Sequence, residues 1–138
     1  MENAKIEAFM QKNGSYFPKD NKDDLKAALA KADDGKLNGL NNSGFRNSTA
    51  MTLLAFFFSG FGLDRFMTGS PGVGTLRVLS FISIFVMISL LGMAKYGVGG
   101  LIIYALILGI WLWYLIEVFT APRRTKRYNY KKAMSIIG

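Results

Sequence analysis

Residues 48–71, STAMTLLAFFFSGFGLDRFMTGSP, carry the reading of this chain. They form a strongly apolar run that stops on a charged tripeptide, Asp64-Arg65-Phe66, and turns at Gly69-Ser70-Pro71. Two longer apolar runs follow, 72–94 and 97–119. Only five residues between 47 and 119 are charged: Asp64, Arg65, Arg77, Lys95 and Glu117. A chain of 138 residues leaves too much surface exposed to hide so continuous an apolar block in water. The uncharged stretches enclosed by Arg46 and Asp64, by Arg77 and Lys95, and by Lys95 and Glu117 are 17, 17 and 21 residues long. A helix crossing the hydrocarbon core needs about 20 residues, with roughly 17 as the lower limit. The third stretch qualifies, the second does so with its lead-in from Gly72, and the first is marginal.

The expected fold is therefore an all-α membrane protein, a helical hairpin or bundle of two to three transmembrane segments with a small N-terminal helical appendage. Its parts are a head over 1–47, a membrane domain over 48–121 with apolar segments 48–63, 71–94 and 97–119, and a basic juxtamembrane tail over 122–138. In the head, Ala4, Ile6, Phe9 and Met10 share one side of a helix that Asn13-Gly14 stops. Leu25, Ala28, Leu29 and Ala32 fall at i, i+3, i+4 and i+7 of a second helix, with Asp20 or Asn21 as its cap. Leu37 and Leu40 add one more turn. So short a segment holds little core, so the head is expected to lean on a partner protein, on another copy or on the membrane. The opening residues contain no apolar core and do not read as a signal peptide.

The composition excludes several chemistries. There is no cysteine and no histidine, which removes thiolate sites, the usual metal ligand and the usual general base. The paired aspartates 23–24 and 33–34 lack the spacing of a calcium loop, so no metal and no cofactor is expected. Three Asn-x-Ser/Thr triplets, at Asn13, Asn41 and Asn47, read as chance in an Asn-rich chain. The net charge of +8 is concentrated in the tail, where Arg123, Arg124, Lys126, Arg127, Lys131 and Lys132 have no acidic neighbour. These residues predict a cytoplasmic tail and contact with anionic lipid at the membrane surface, where Tyr128, Tyr130, Met134, Ile136 and Ile137 supply an apolar complement. Nucleic acid is not an expected partner, because no reading module accompanies the patch.

The membrane block resembles the TM2 domain family. The resemblance rests on Ser59-Gly60-Phe61-Gly62-Leu63-Asp64-Arg65-Phe66 with Gly69 in the following loop. It extends to Gly72-Val73-Gly74-Thr75-Leu76-Arg77 and to the late acid in Trp113–Phe119. The flanks, Asn13…Phe17-Pro18, Asp33-Asp34-Gly35-Lys36 and Arg124…Asn129-Tyr130-Lys131, are similar to those of small bacterial members. Position 59 is Ser where the family usually has Gly, position 117 is Glu where it usually has Asp, and 80–96 looks like an insertion. The resemblance implies architecture and a membrane location, the bacterial cytoplasmic membrane, and no mechanism.

The charges Asp64, Arg65, Arg77 and Glu117 are expected to pin segments together rather than to catalyse. Arg77 lies six residues after Pro71, which opens the second long helix, and Glu117 five before Pro122, which closes the third. Both therefore sit about 8–9 Å inside the same edge of the bundle, where each is the other's nearest relief, and the Asp64-Arg65 turn at that edge extends the set to four charges, with Arg65 reaching Glu117 or Asp64 reaching Arg77. Ala105 and Gly109 form a small-xxx-small face for helix packing, and Trp111 lies too deep for an aromatic belt and is expected inside the bundle. The functional expectation is a non-enzymatic membrane anchor or adaptor that assembles with itself or with a protein partner. The alternative is a subunit of a small oligomeric ion pore lined by Thr75, Ser80 and Ser83. Whether 48–63 spans or re-enters stays open; a re-entrant segment keeps the head on the cytoplasmic side, which is the reading adopted.

Overall fold

Ile6, Phe9 and Met10 recur at the spacing of one helical face, and the helix they form, α1 (Asn3–Asn13), buries all three. The computed structural model describes residues 1–93 and 97–138, and every regular element among them is helical. Six further helices follow: α2 (Lys22–Lys31), α3 (Lys36–Asn41), α4 (Ser48–Phe57), α5 (Leu63–Met67), α6 (Pro71–Met93) and α7 (Val98–Ile137). The turn marked by Lys95 and Tyr96 lies outside the described residues.

The chain divides into two units, one of residues 1–51 with 122–138 and one of residues 52–121. The first has its own core, in which Leu25 and Leu29 of α2 and Leu40 of α3 meet Ile6, Phe9, Phe17 and Ala133. Phe45 stacks edge-on against Phe17 with ring centroids 4.9 Å apart. Asn21 precedes α2, but its side chain makes no capping bond.

This unit corrects three expectations. The tail is not a separate juxtamembrane element. Ala121, Thr125, Asn129 and Ala133, four residues apart along α7, are all buried. Tyr130, Met134, Ile136 and Ile137, expected on the membrane surface, pack against the head core instead. The third long helix does not close at Pro122, since α7 runs through it to Ile137. A proline removes a single backbone bond and crowds the preceding turn. Helix resumes beyond it because the 122–138 stretch is held by the head core. Asn129 makes that hold specific. Its Oδ1 accepts from the Arg46 N–H at 2.8 Å, and its Nδ2 donates to the carbonyls of Tyr16 (2.9 Å) and Arg46 (2.8 Å).

The second unit contains the apolar helices. Pro71–Gly92 of α6 and a window of α7 are each long and apolar enough to cross a bilayer, and only 11% of each apolar window is buried within the protein. Side chains such as Leu79, Phe85, Leu101 and Leu108 are exposed, which is stable only in an apolar solvent. The chain is an integral membrane protein. The first apolar segment, 48–63, is not one helix: α4 has 10 residues, about 15 Å of rise against a core about 30 Å thick. It breaks at a 3₁₀ turn, Ser59–Phe61, before α5. Residues 1–51 and 122–138 form one packed unit, and among the described residues α6 and α7 are the helices long and apolar enough to cross a bilayer, whereas α4 is too short to do so alone.

Candidate functional site: an intramembrane charge cluster

Gly62 takes φ +62°, the left-handed region that favours glycine, and redirects the chain from the 3₁₀ turn into α5. The turn lies directly on the Gly74–Arg77–Phe81 face of α6. A Cβ at Gly60 would fall 2.3 Å from the Phe81 ring, and one at Gly62 would fall 2.7 Å from the Gly74 carbonyl oxygen. Phe66 also packs on Gly74, where an added Cβ would fall 3.0 Å from its ring. Gly69, also at positive φ, makes the turn into α6.

This close approach brings Asp64 and Arg65, from α5, against Arg77 of α6 and Glu117 of α7. Arg65 donates from Nε and Nη2 to the two oxygens of Glu117 at 2.7 and 2.6 Å, a bidentate pair. Arg77 Nη1 donates to Asp64 Oδ1 at 2.6 Å and lies 3.5 Å from Glu117 Oε2. Asp64, Arg77 and Glu117 are buried, and the Arg65 side chain is 15% exposed. Two cations and two anions thus neutralise one another across three helices. In a low-dielectric medium an unpaired member is costly, and the attraction within the set offsets that cost only while the set is complete. Nε and Nη2 of Arg77 make no hydrogen bond among the described residues.

Tyr114, one helical turn before Glu117, completes the site. Its hydroxyl donates to the Arg77 carbonyl oxygen at 3.3 Å, and its ring lies 5.8 Å from the Arg77 guanidinium carbon. Its i, i+3 spacing to Glu117 is the sequence signal that it shares the buried face. Trp111 is not inside the bundle but 59% exposed. It lines an apolar groove of about 310 Å³ with Phe56, Phe81, Phe85 and Leu115. Ala105 and Gly109 are also exposed, and a Cβ on Gly109 would meet nothing within 4 Å.

Of the basic residues assigned to the membrane surface, Arg123, Arg127 and Lys131 are exposed and Arg124, Lys126 and Lys132 half-buried. No group of three or more acidic side chains suited to a metal ion occurs among the described residues.

Comparison with known proteins adds one match. Residues 44–94 match the family model of the TM2 domain, a span that runs from the linker before α4 to the end of α6. It includes Asp64, Arg65 and Arg77, while Tyr114 and Glu117 lie beyond it. No curated protein and no solved structure matches the chain.

Proposed function

We propose that this TM2-domain membrane protein is a non-catalytic anchor of the bacterial cytoplasmic membrane, which assembles with itself and presents its head to a protein partner. The observation that carries the reading is the closure of the charge cluster. Arg65 with Glu117 and Arg77 with Asp64 neutralise one another at 2.6–2.7 Å, which leaves the Asp64-Arg65-Phe66 motif a clamp between helices and not a reactive group. The hydroxyls on α6 are equally inward-looking. Thr75, Ser80, Ser83 and Ser89 each donate to a carbonyl three or four residues earlier on the same helix. They form no polar track for ions, which favours the anchor over the pore.

Self-assembly is supported by the open Ala105/Gly109 face, which lets a second helix approach closely. A cytoplasmic head and tail are supported by the six basic residues that follow the second crossing.

Two measurements test the reading. Purified protein in liposomes should give no ion flux above empty vesicles while its detergent complex has the mass of an oligomer. Selective flux with a discrete conductance would replace the anchor by the pore. Single cysteines introduced at Lys36 and at Ser135, both exposed, should both resist an impermeant thiol reagent in intact cells and react after permeabilisation. Labelling of either in intact cells overturns the orientation, and labelling of only one puts the head and the tail on opposite sides of the membrane.

A further inference from the structure

The cations of the tail divide into two groups that the sequence did not separate. Arg123, Lys126 and Arg127, at i, i+3 and i+4 of α7, line a cavity of about 450 Å³ with Pro18, Lys19 and Asn21 of the head. Arg124, Lys131 and Lys132 do not line it. None of the four lining cations forms an ion pair among the described residues. The single acid in the wall is Asp20, so four positive charges against one negative converge on one concavity. Like charges gathered without a counter-ion repel one another, and a concave low-dielectric wall focuses their field on whatever enters. Guanidinium and ammonium groups together match the oxygens of a phosphate.

We propose that this cavity is a binding site for one phosphate group, that of an anionic phospholipid headgroup. The excess of three positive charges suits a group with one or two negative charges. The lipid source follows from the position of the wall. Arg123 comes only four residues after Phe119, where the long apolar run of the chain ends, so the wall begins where the sequence passes from apolar to basic. Pro18 and Pro122 brace the cavity between a turn of the head and the start of the tail. A headgroup seated there ties the head to the bilayer at a defined place, whatever protein the head engages.

The test uses the full-length protein in detergent with phosphatidylglycerol or phosphatidylcholine titrated in, and counts retained lipid by native mass spectrometry. Wild-type protein should retain one phosphatidylglycerol and no phosphatidylcholine. Arg123→Gln with Arg127→Gln should weaken retention about thirtyfold, since each cation beside an anionic lipid contributes about fivefold. Lys131→Gln with Lys132→Gln, an equal loss of charge outside the cavity, should change it less than about twofold. Lys19→Gln, on the head, should weaken it about fivefold. Equal effects from the two double variants, or none from Lys19→Gln, would mean a diffuse basic surface and overturn the site. Displacement of the lipid by millimolar inorganic phosphate would overturn the lipid source and assign the cavity to soluble phosphate.

Discussion

Glu117→Gln is the most informative single change in the membrane unit. The carboxylate takes two hydrogen bonds from Arg65, at 2.7 and 2.6 Å, and faces Arg77 at 3.5 Å. The amide keeps one acceptor oxygen, turns its NH₂ toward a guanidinium and removes the counter-charge. A hydrogen bond to a charged group is worth about 1.5–3 kcal/mol, and stranding a buried charge costs about 3–5 kcal/mol. Arg77 keeps Asp64 at 2.6 Å, and Arg65, 15% exposed, can turn outward. The expected loss is therefore about 2–3 kcal/mol, below the full penalty. Lys36→Gln on the exposed head should cost less than about 0.5 kcal/mol. Double-mutant cycles then order the partners. Arg65 with Glu117 and Arg77 with Asp64 should each couple by about 2 kcal/mol, whereas Arg77 with Glu117, at the limit of hydrogen-bond length, should couple by about 0.5–1 kcal/mol. The assay is equilibrium unfolding of each variant in mixed micelles. Additivity of Arg65→Gln and Glu117→Gln, or a larger coupling of Glu117 to Arg77 than to Arg65, refutes the pairing.

Three other outcomes are expected. Asn129→Ala leaves the Arg46 N–H and the carbonyls of Arg46 and Tyr16 without their buried partner. It should destabilise the head by about 2–4 kcal/mol, read as faster hydrogen exchange across 1–47, and unchanged exchange there would show that the tail does not hold the head. Gly60→Ala and Gly62→Ala press a Cβ to 2.3 and 2.7 Å of neighbouring atoms and should each lower detergent stability by about 1–3 kcal/mol. Gly99→Ala, which meets nothing within 4 Å, should lower it by none. The Lys5–Asp34 ion pair holds the Lys5 amine above its ordinary value and the Asp34 carboxyl below its own, through their mutual hydrogen bond and then their charges. Its small stabilisation is therefore present at neutral pH, is lost as pH falls through the depressed Asp34 value, and is lost again as pH rises through the raised Lys5 value. The pH profile of Lys5→Gln should match wild type in shape except at those two extremes.

The membrane block was legible because an ionised side chain in an apolar run has few ways to be tolerated. Asp64, Arg65, Arg77 and Glu117 had to meet, and run lengths brought Arg77 and Glu117 to one depth. The pairs Arg65 with Glu117 and Asp64 with Arg77 were legible beside Arg77 with Glu117; their order of closeness was not, because it depends on the turn at Gly62, which swings Arg65 onto Glu117. The tail misled for a different reason. Met134, Ile136 and Ile137 are apolar, and a pattern of apolar residues does not say whether lipid or protein supplies the apolar phase. The buried stripe Ala121-Thr125-Asn129-Ala133 is too small and polar to read as core, although small residues mark close approach and a buried Asn marks backbone needing partners. Asn47 was set aside as a chance triplet, yet its Oδ1 accepts from the N–H groups of Thr49 and Ala50 and caps α4. Pro122 read as a stop, but local propensity yields where tertiary contacts hold the chain beyond it.

Asn129 reaches its partners at sequence separations of 83 and 113 residues, and that span has a consequence for biogenesis. Residues 1–47 leave the ribosome first but lack Ala133 and the Asn129 bonds until α7 has been made. The core of this unit is therefore assembled last, by the final turns of α7, although its first three helices are made first.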